Sequence, residues 1–226
     1  MALMKVSSGT VKKQGLLVAE EVNQKWLYSF LKRLMDIVGA LCGLILLSPI
    51  FLIVALLIKL EDPKGPIFFK QIRVGKNEKE FGMYKFRSMV TDAEERLKDL
   101  LEHNEVSGAM FKMKEDPRVT KIGKFIRKTS IDELPQLLNV LKGDMSLVGP
   151  RPPLPREVKE YTSYDKQRLL VTPGCTGLWQ VTERNSVGFK EMVELDLAYI
   201  QQRSLWFDIK LIFKTVLVLF GSKDAF

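Results

Sequence analysis

The chain has 226 residues, 46% of them hydrophobic and 27% charged, with a formal net charge of +8. That composition is ordinary for one folded domain with a real core, and the positive charge points to anionic partners: nucleic acid, phosphorylated small molecules or anionic lipid. Cys42 lies in an apolar run and Cys175 is its only fellow, which argues against a disulfide, while the single histidine, His103, sits in a charged stretch and reads as a solvated helix-face residue. A histidine-dependent nucleophile would have to use His103, so catalysis here must rest on carboxylates, lysines and arginines, with or without a hard metal ion.

The first strong element is Ile37 to Ile58, an uninterrupted apolar run without charge. It meets the roughly 20 residues needed to span a bilayer. The long stretch ahead of it and the lack of a small-residue cleavage pattern behind it distinguish it from a signal peptide. Two readings stand. One is a single spanning anchor. The other is a helix that enters one leaflet, bends and returns, and two features favour it. Ser48-Pro49 sits near the middle, where proline removes a donor and clashes with the carbonyl four residues back, and the Ser48 hydroxyl can satisfy a carbonyl freed in lipid. Both flanks are basic, with Lys5, Lys12, Lys13, Lys25, Lys32 and Arg33 before the run and Lys59, Lys64, Lys70, Arg73 and Lys76 after it. The positive-inside rule finds little asymmetry to orient a span.

Pro66 to Arg73 and Phe81 to Met89 predict two short strands joined as a hairpin through VGKNEKE. Alternation puts Lys85 and Arg87 on one face, roughly 7 Å apart, a spacing suited to a diphosphate. A polar outer strand face is the alternative. Asp92 to Glu105 predicts an exposed amphipathic helix with Leu97, Leu100 and Leu101 as its stripe. Val119 to Lys128 predicts a basic helix with Val119, Ile122, Phe125 and Ile126 facing inward. A third helix carries Leu134, Leu137, Leu138 and Leu141 and stops at Gly143.

At the start of that third helix stand Asp132 and Glu133. Ser130-Ile131-Asp132-Glu133 fits a capping box, in which the acids serve the helix alone. Pro135 fits the box poorly, because it would be an interior helical residue with no N–H. A helix starting between Asp132 and Leu134 leaves both acids at the mouth of a helix N-terminus, with Arg127 and Lys128 nearby, which suits a metal-bridged phosphate site. Further on, Arg151 lies between Pro150 and Pro152. Such an arginine presents its guanidinium at low entropic cost, unless the segment is only a stiff surface stretch.

Taken together, KRLMD (Lys32 to Asp36), SP (Ser48-Pro49), KFRSM (Lys85 to Met89), TSIDELPQLLNVLKGDMSLVGPRP (Thr129 to Pro152) and PGCTGLWQV (Pro173 to Val181) occur in an order that resembles the bacterial monotopic phosphoglycosyl transferases. This sugar transferase family starts exopolysaccharide, O-antigen and glycoprotein glycan synthesis. The resemblance runs from about Lys32 to the C-terminus, and its long central motif is the specific part. It is similar to the small catalytic form.

The resemblance implies an α+β fold: a re-entrant membrane helix hairpin and a small membrane-associated cytoplasmic domain of short helices and a β-hairpin. It divides the chain into an N-terminal extension (1–31), a re-entrant helix (32–60) and a catalytic domain (61–226) ending in a membrane-surface helix, Leu205 to Phe220, whose Asp208, Lys210 and Lys214 give it a polar side. It implies transfer of a sugar 1-phosphate from a UDP-sugar to polyprenyl phosphate, with release of UMP, at the cytoplasmic face of the bacterial inner membrane. Asp132 is the implied nucleophile and a ligand of Mg2+, Glu133 its catalytic partner, and Arg151 a nucleotide contact. Lys85, Arg87 and Arg127 are further candidate phosphate contacts. Lys32, Arg33 and Asp36 match the family's interfacial motif at headgroup depth, with Ser48 and Pro49 at the bend. The implied partners are UDP-sugar, polyprenyl phosphate and the bilayer, and not nucleic acid; a homodimer is one open oligomeric state. Two departures stand out. Glu183 precedes Arg184 where the family commonly has glycine. Cys175 replaces an aliphatic residue and reads as a small apolar filler. GLWQV leans towards members that transfer hexose phosphates. Two rival functions remain: a glycosyltransferase that moves only the sugar and releases UDP, and a non-catalytic membrane scaffold.

Overall fold

The computed structural model describes residues 26–100, 113, 116–182 and 188–221. Most of the N-terminal extension, His103, and Glu183 with Arg184 lie outside the described residues. The fold is α+β, with one long apolar helix at the N-terminal end and short helices around two small sheets.

Helix α1 runs from Trp26 to Glu61, starting ahead of the expected boundary at Lys32 and passing through Pro49 as one helix. Pro49 does not end the helix, for a chemical reason. Proline at 49 leaves the carbonyl of Ile45 without its amide partner, and the Ser48 hydroxyl donates to that same carbonyl at 2.8 Å. The helix is long and apolar enough to cross a membrane. It is not a core helix, because Leu46 and Leu52 are 77% and 73% exposed.

Strands β1 (Phe68–Val74) and β2 (Glu80–Phe86) form the expected antiparallel hairpin, with Phe68 opposite Phe86 and Phe69 opposite Lys85. The turn needs positive φ at Asn77 and Glu78. Helix α2 (Ala93–Leu100) covers the described part of the amphipathic segment. Helix α3 (Lys121–Lys128) begins at Thr120, whose hydroxyl accepts the Gly123 amide. Its inner face is Gly123 and Ile126, with Ile122 packed beside them. Phe125 was expected inside but is 53% exposed, since it projects from the flank of the helix.

After a single 3-10 turn, Ile131–Glu133, come α4 (Gln136–Lys142) and β3 (Ser146–Val148). Then follow α5 (Pro155–Val158), a 3-10 segment (Asp165–Leu170), β4 (Gly174–Thr176), α6 (Leu178–Thr182), α7 (Phe189–Gln202) and α8 (Leu205–Gly221). Strands β3 and β4 pair in parallel, and strands this short carry no periodicity that a sequence reading could detect.

Both halves of α1 dock on this domain. Ala40, from the first half, packs with Met83, Val140 and Met145. Gly39 lets the backbone approach Leu147, because a Cβ there would lie 2.6 Å from its Cδ1. Val54 and Ile58, from the second half, pack with Phe86 and Ile126. Helix α8 exposes Trp206, Phe213 and Leu217. Lys210 and Lys214 are exposed as expected, but Asp208 is fully buried and does not contribute a polar side.

Candidate active site

The two acids sit on the 3-10 turn between α3 and α4, not in the first turn of a helix. Ser130 precedes them at φ 57° and makes no capping bond, so the capping-box alternative is not what holds them. A non-glycine residue in the left-handed region is uncommon and costs energy that the surroundings must hold. Pro135 then starts α4 with its φ of −62° already helical, and Gly143 ends it at φ 88°. At that end Arg33 of α1 donates to the carbonyls of Val140 and Leu141, the latter at 2.7 Å. The turn is therefore pinned between two anchored helices.

Lys85, near the end of β2, brings its ammonium to 2.8 Å from Glu133 Oε1 and 3.6 Å from Asp132 Oδ2. The strand carrying it is sewn to α4 by fully buried Asn139. Its side-chain oxygen accepts the Tyr84 amide at 2.9 Å, and its nitrogen donates to the Gly82 carbonyl at 2.8 Å. Arg127, in the last turn of α3, donates to Ser88 Oγ at 2.9 Å and lies within electrostatic reach of Asp132.

The adjacent carboxylates are driven apart in acidity. Burial pushes Asp132 above the ordinary range; Lys85 and Arg127 oppose this, and the charge of Glu133 adds to it. Burial also acts to raise Glu133, but Lys85, Arg151 and Arg73 override it and hold that carboxyl at about 2. Arg151 itself is half-buried on the loop after β3. That loop is fastened from behind. Arg168 donates to the Arg151 carbonyl at 3.2 Å, Arg73 to the Pro152 carbonyl at 3.0 Å, and the Val74 amide to the Pro153 carbonyl at 2.9 Å. Arg168 is in turn paired with buried Asp196.

The structure thus brings Asp132, Glu133, Lys85, Arg127 and Arg151 together. It does not bring Arg87: this buried guanidinium pairs with Asp62 and also donates to the Asp62 carbonyl at 3.0 Å. Lys85 and Arg87 therefore do not share a target. The interfacial trio grips protein. Lys32 meets Asp208 of α8 at 2.9 Å, Arg33 meets α4, and Asp36 accepts Ser146 Oγ and the Leu147 amide, both at 2.9 Å. Cys175 packs beside the Met83 cluster, and burial pushes its thiol up, so it is not a thiolate nucleophile.

Sequence reasoning missed Arg73, Gln71, Asn139, Asp208 and the Arg168–Asp196 pair. A signal existed for Asp208, since a lone carboxylate in the otherwise apolar α8 demands a partner. No group of three metal-ligating side chains occurs among the described residues. Mg2+ is usually held by one or two carboxylates together with waters and substrate phosphates, so Asp132 beside Glu133 fits a metal that arrives with a diphosphate.

A family described as bacterial sugar transferase matches residues 27–222. The chain is 52% identical over 200 residues to a galactosyl transferase, CpsE, of Streptococcus agalactiae, an overlap covering 88% of this chain and 44% of that protein. It is 41% identical over 204 residues to the UDP-glucose:undecaprenyl-phosphate glucose-1-phosphate transferase of Escherichia coli, covering 87% and 41%. It is 40% identical over 199 residues to the exopolysaccharide production protein ExoY of Rhizobium meliloti, covering 86% and 88%. The chain thus spans less than half the length of the first two relatives and most of the third.

Proposed function

Because this chain belongs to the bacterial sugar transferase family, we propose that it transfers a sugar 1-phosphate from a UDP-sugar to polyprenyl phosphate and releases UMP. The acceptor class is the undecaprenyl phosphate in the name of the Escherichia coli relative. The product, a polyprenyl diphosphate sugar, would start an exopolysaccharide or related glycan. The observation that carries this reading is the division of labour between the two adjacent acids. Glu133 is bound to Lys85 and holds the cation in place, while Asp132 is buried, makes among the described residues only a 3.6 Å ion contact with Lys85, and keeps its lone pairs for an electrophile.

In the first step an Asp132 oxygen attacks the sugar-bearing phosphorus. The bond from that phosphorus to the bridging oxygen breaks, and UMP leaves with the electron pair. In the second step an oxygen of polyprenyl phosphate attacks the same phosphorus, and the Asp132 carboxylate departs unchanged. Two displacements replace one, which is the gain from covalent catalysis. Lys85 and Arg127 flank Asp132 and offset charge on the transferring phosphoryl oxygens. Glu133 orients Lys85, and Arg151 receives the nucleotide side of the donor. Mg2+ held by Asp132 would neutralise the donor diphosphate.

We assign α1 a re-entrant placement, with both flanks cytoplasmic. Support comes from its two ends, which bind one domain. Arg33 and Asp36 hold α4 and β3, while Glu61 accepts the Lys121 and Ile122 amides at 2.8 and 3.1 Å. A spanning helix would carry its ends to opposite sides of about 30 Å of hydrocarbon. Cysteines placed near residues 25 and 76 are expected to resist an impermeant thiol reagent in intact cells. Labelling at the N-terminal site would restore the simple span.

The reaction is tested with UDP-sugars, undecaprenyl phosphate and Mg2+. UMP is the expected product, and UDP would point to a glycosyltransferase instead. Donor alone is expected to add one phosphosugar mass to the peptide that contains Asp132.

A further inference from the structure

The site contains one cation that the reaction as written does not use. Arg73 lies on β1 and is 7% exposed. Its Nε and Nη2 both donate to Gln71 Oε1, at 3.1 and 2.7 Å, and its Nη1 donates to the Pro152 carbonyl at 3.0 Å. These bonds commit three of a guanidinium's five N–H donors, all to neutral acceptors. No carboxylate forms an ion pair with Arg73 among the described residues. A second arginine, Arg151, is near enough to disfavour its charge, while Glu157 and Glu133 favour it from a distance. The Glu157 carboxylate is already engaged by the Leu154 amide at 2.8 Å.

Burying a full positive charge beside a like charge is costly unless an anion completes the site. The contrast with Arg168 and Arg118 is direct, since each of these buried arginines is paired with its own aspartate. Around the acids, Lys85, Arg127, Arg151 and Arg73 outnumber Asp132 and Glu133. Lys85 acts on both acids, Arg127 on Asp132, and Arg151 with Arg73 on Glu133.

Resting on the function proposed above, we propose that Arg73 is a substrate-binding residue that, together with Arg151, holds the phosphate of the departing nucleoside monophosphate. Gln71 and the Pro152 carbonyl fix the guanidinium plane, and two N–H donors remain to bind the anion. This placement leaves the sugar-bearing phosphorus over Asp132. It also ties donor binding to the Pro150–Pro152 segment, since one guanidinium touches both the loop and the ligand.

Binding of UMP and of uridine to the purified full chain in micelles tests this. For Arg73→Gln the dissociation constant for UMP is expected to rise about tenfold or more, with uridine unchanged, as for the loss of a charge-assisted hydrogen bond. A purely structural tie between hairpin and loop would weaken UMP and uridine together, which would overturn the proposal, as would UMP affinity equal to wild type. If Arg73→Gln does not fold, Arg73→Lys decides. Weaker UMP binding with unchanged uridine binding supports the proposal, and full UMP affinity overturns it. A wild-type protein that binds no UMP would remove the donor reading itself, a result distinct from either arm.

Discussion

Asp132 and Asp208 are both buried aspartates beside a lysine, yet their surroundings are opposite. Asp208 Oδ2 accepts the Tyr28 hydroxyl at 2.8 Å and the Lys32 ammonium at 2.9 Å, and its Oδ1 accepts the Tyr199 hydroxyl at 2.7 Å. Three donors converge on this carboxylate, and three helices, α1, α7 and α8, are locked at one point. Among the described residues Asp132 has the Lys85 ammonium at 3.6 Å and the charge of Arg127 within reach. The difference teaches how to separate a structural carboxylate from a working one: the first is held by three donors, and the second is buried with one longer cation contact among the described residues.

Substitution at each site should break the comparison in opposite ways. Asp132→Asn is expected to lower turnover by roughly a thousandfold or more, because the attacking oxygen is lost, with melting little changed. Substantial turnover by this variant would refute the nucleophile role. Asp208→Asn should show the reverse. It leaves Lys32 unpaired at the foot of α1 and should cost about 2–4 kcal/mol, read as a lower melting temperature in micelles, with the folded fraction still active. An Asp208→Asn protein of normal stability but no activity would erase the distinction.

Smaller effects sharpen it. Asn139→Ala strands the Tyr84 amide and the Gly82 carbonyl, so a loss of about 2 kcal/mol is expected. Because Lys85 adjoins Tyr84, activity per folded molecule should also fall, and an unaltered rate would show that Lys85 is positioned without this stitch. Arg151→Lys keeps the charge but loses the planar fork, so the donor KM should rise about tenfold with the membrane helix still in place. Equal donor kinetics would reduce Arg151 to a stiff loop residue. The smallest effect is acid stability. Glu133 has its carboxyl depressed in the fold, so the stability it lends is present above its ordinary 4.5 and is lost as pH falls towards about 2. Glu133→Gln should flatten the acid limb of the melting profile in that window, and an unchanged limb would mean that Lys85 does not hold Glu133 ionised.

Much of this was legible in the chain because it is local. The apolar run of α1, the hairpin, the basic helix ending at Lys128 and the stop at Gly143 follow from periodicity, turn residues and a glycine that accepts φ 88°. The adjacency of Asp132 and Glu133, and the poor fit of Pro135 to a capping box, could be read from ten residues. Proline at 49 was legible too, but the continuation of the helix through it was not. The bond from Ser48 to the Ile45 carbonyl lets the helix continue where proline alone would end it.

The amino-acid sequence by itself determined the element types, the membrane-length helix and the residue kinds available for phosphate chemistry, since these depend on neighbours within a few positions. Only the tertiary structure decided which charges meet. It sent Arg87 to Asp62 and Lys85 to Glu133, although they stand two positions apart on one segment. It drew Asp208 out of an apparently amphipathic helix to meet Tyr28 and Lys32. It also left Arg73 buried near the acids without an ion-pair partner among the described residues. Pairing of this kind is set by long-range packing and by the cost of burying a charge, and neither leaves a periodic trace along the chain.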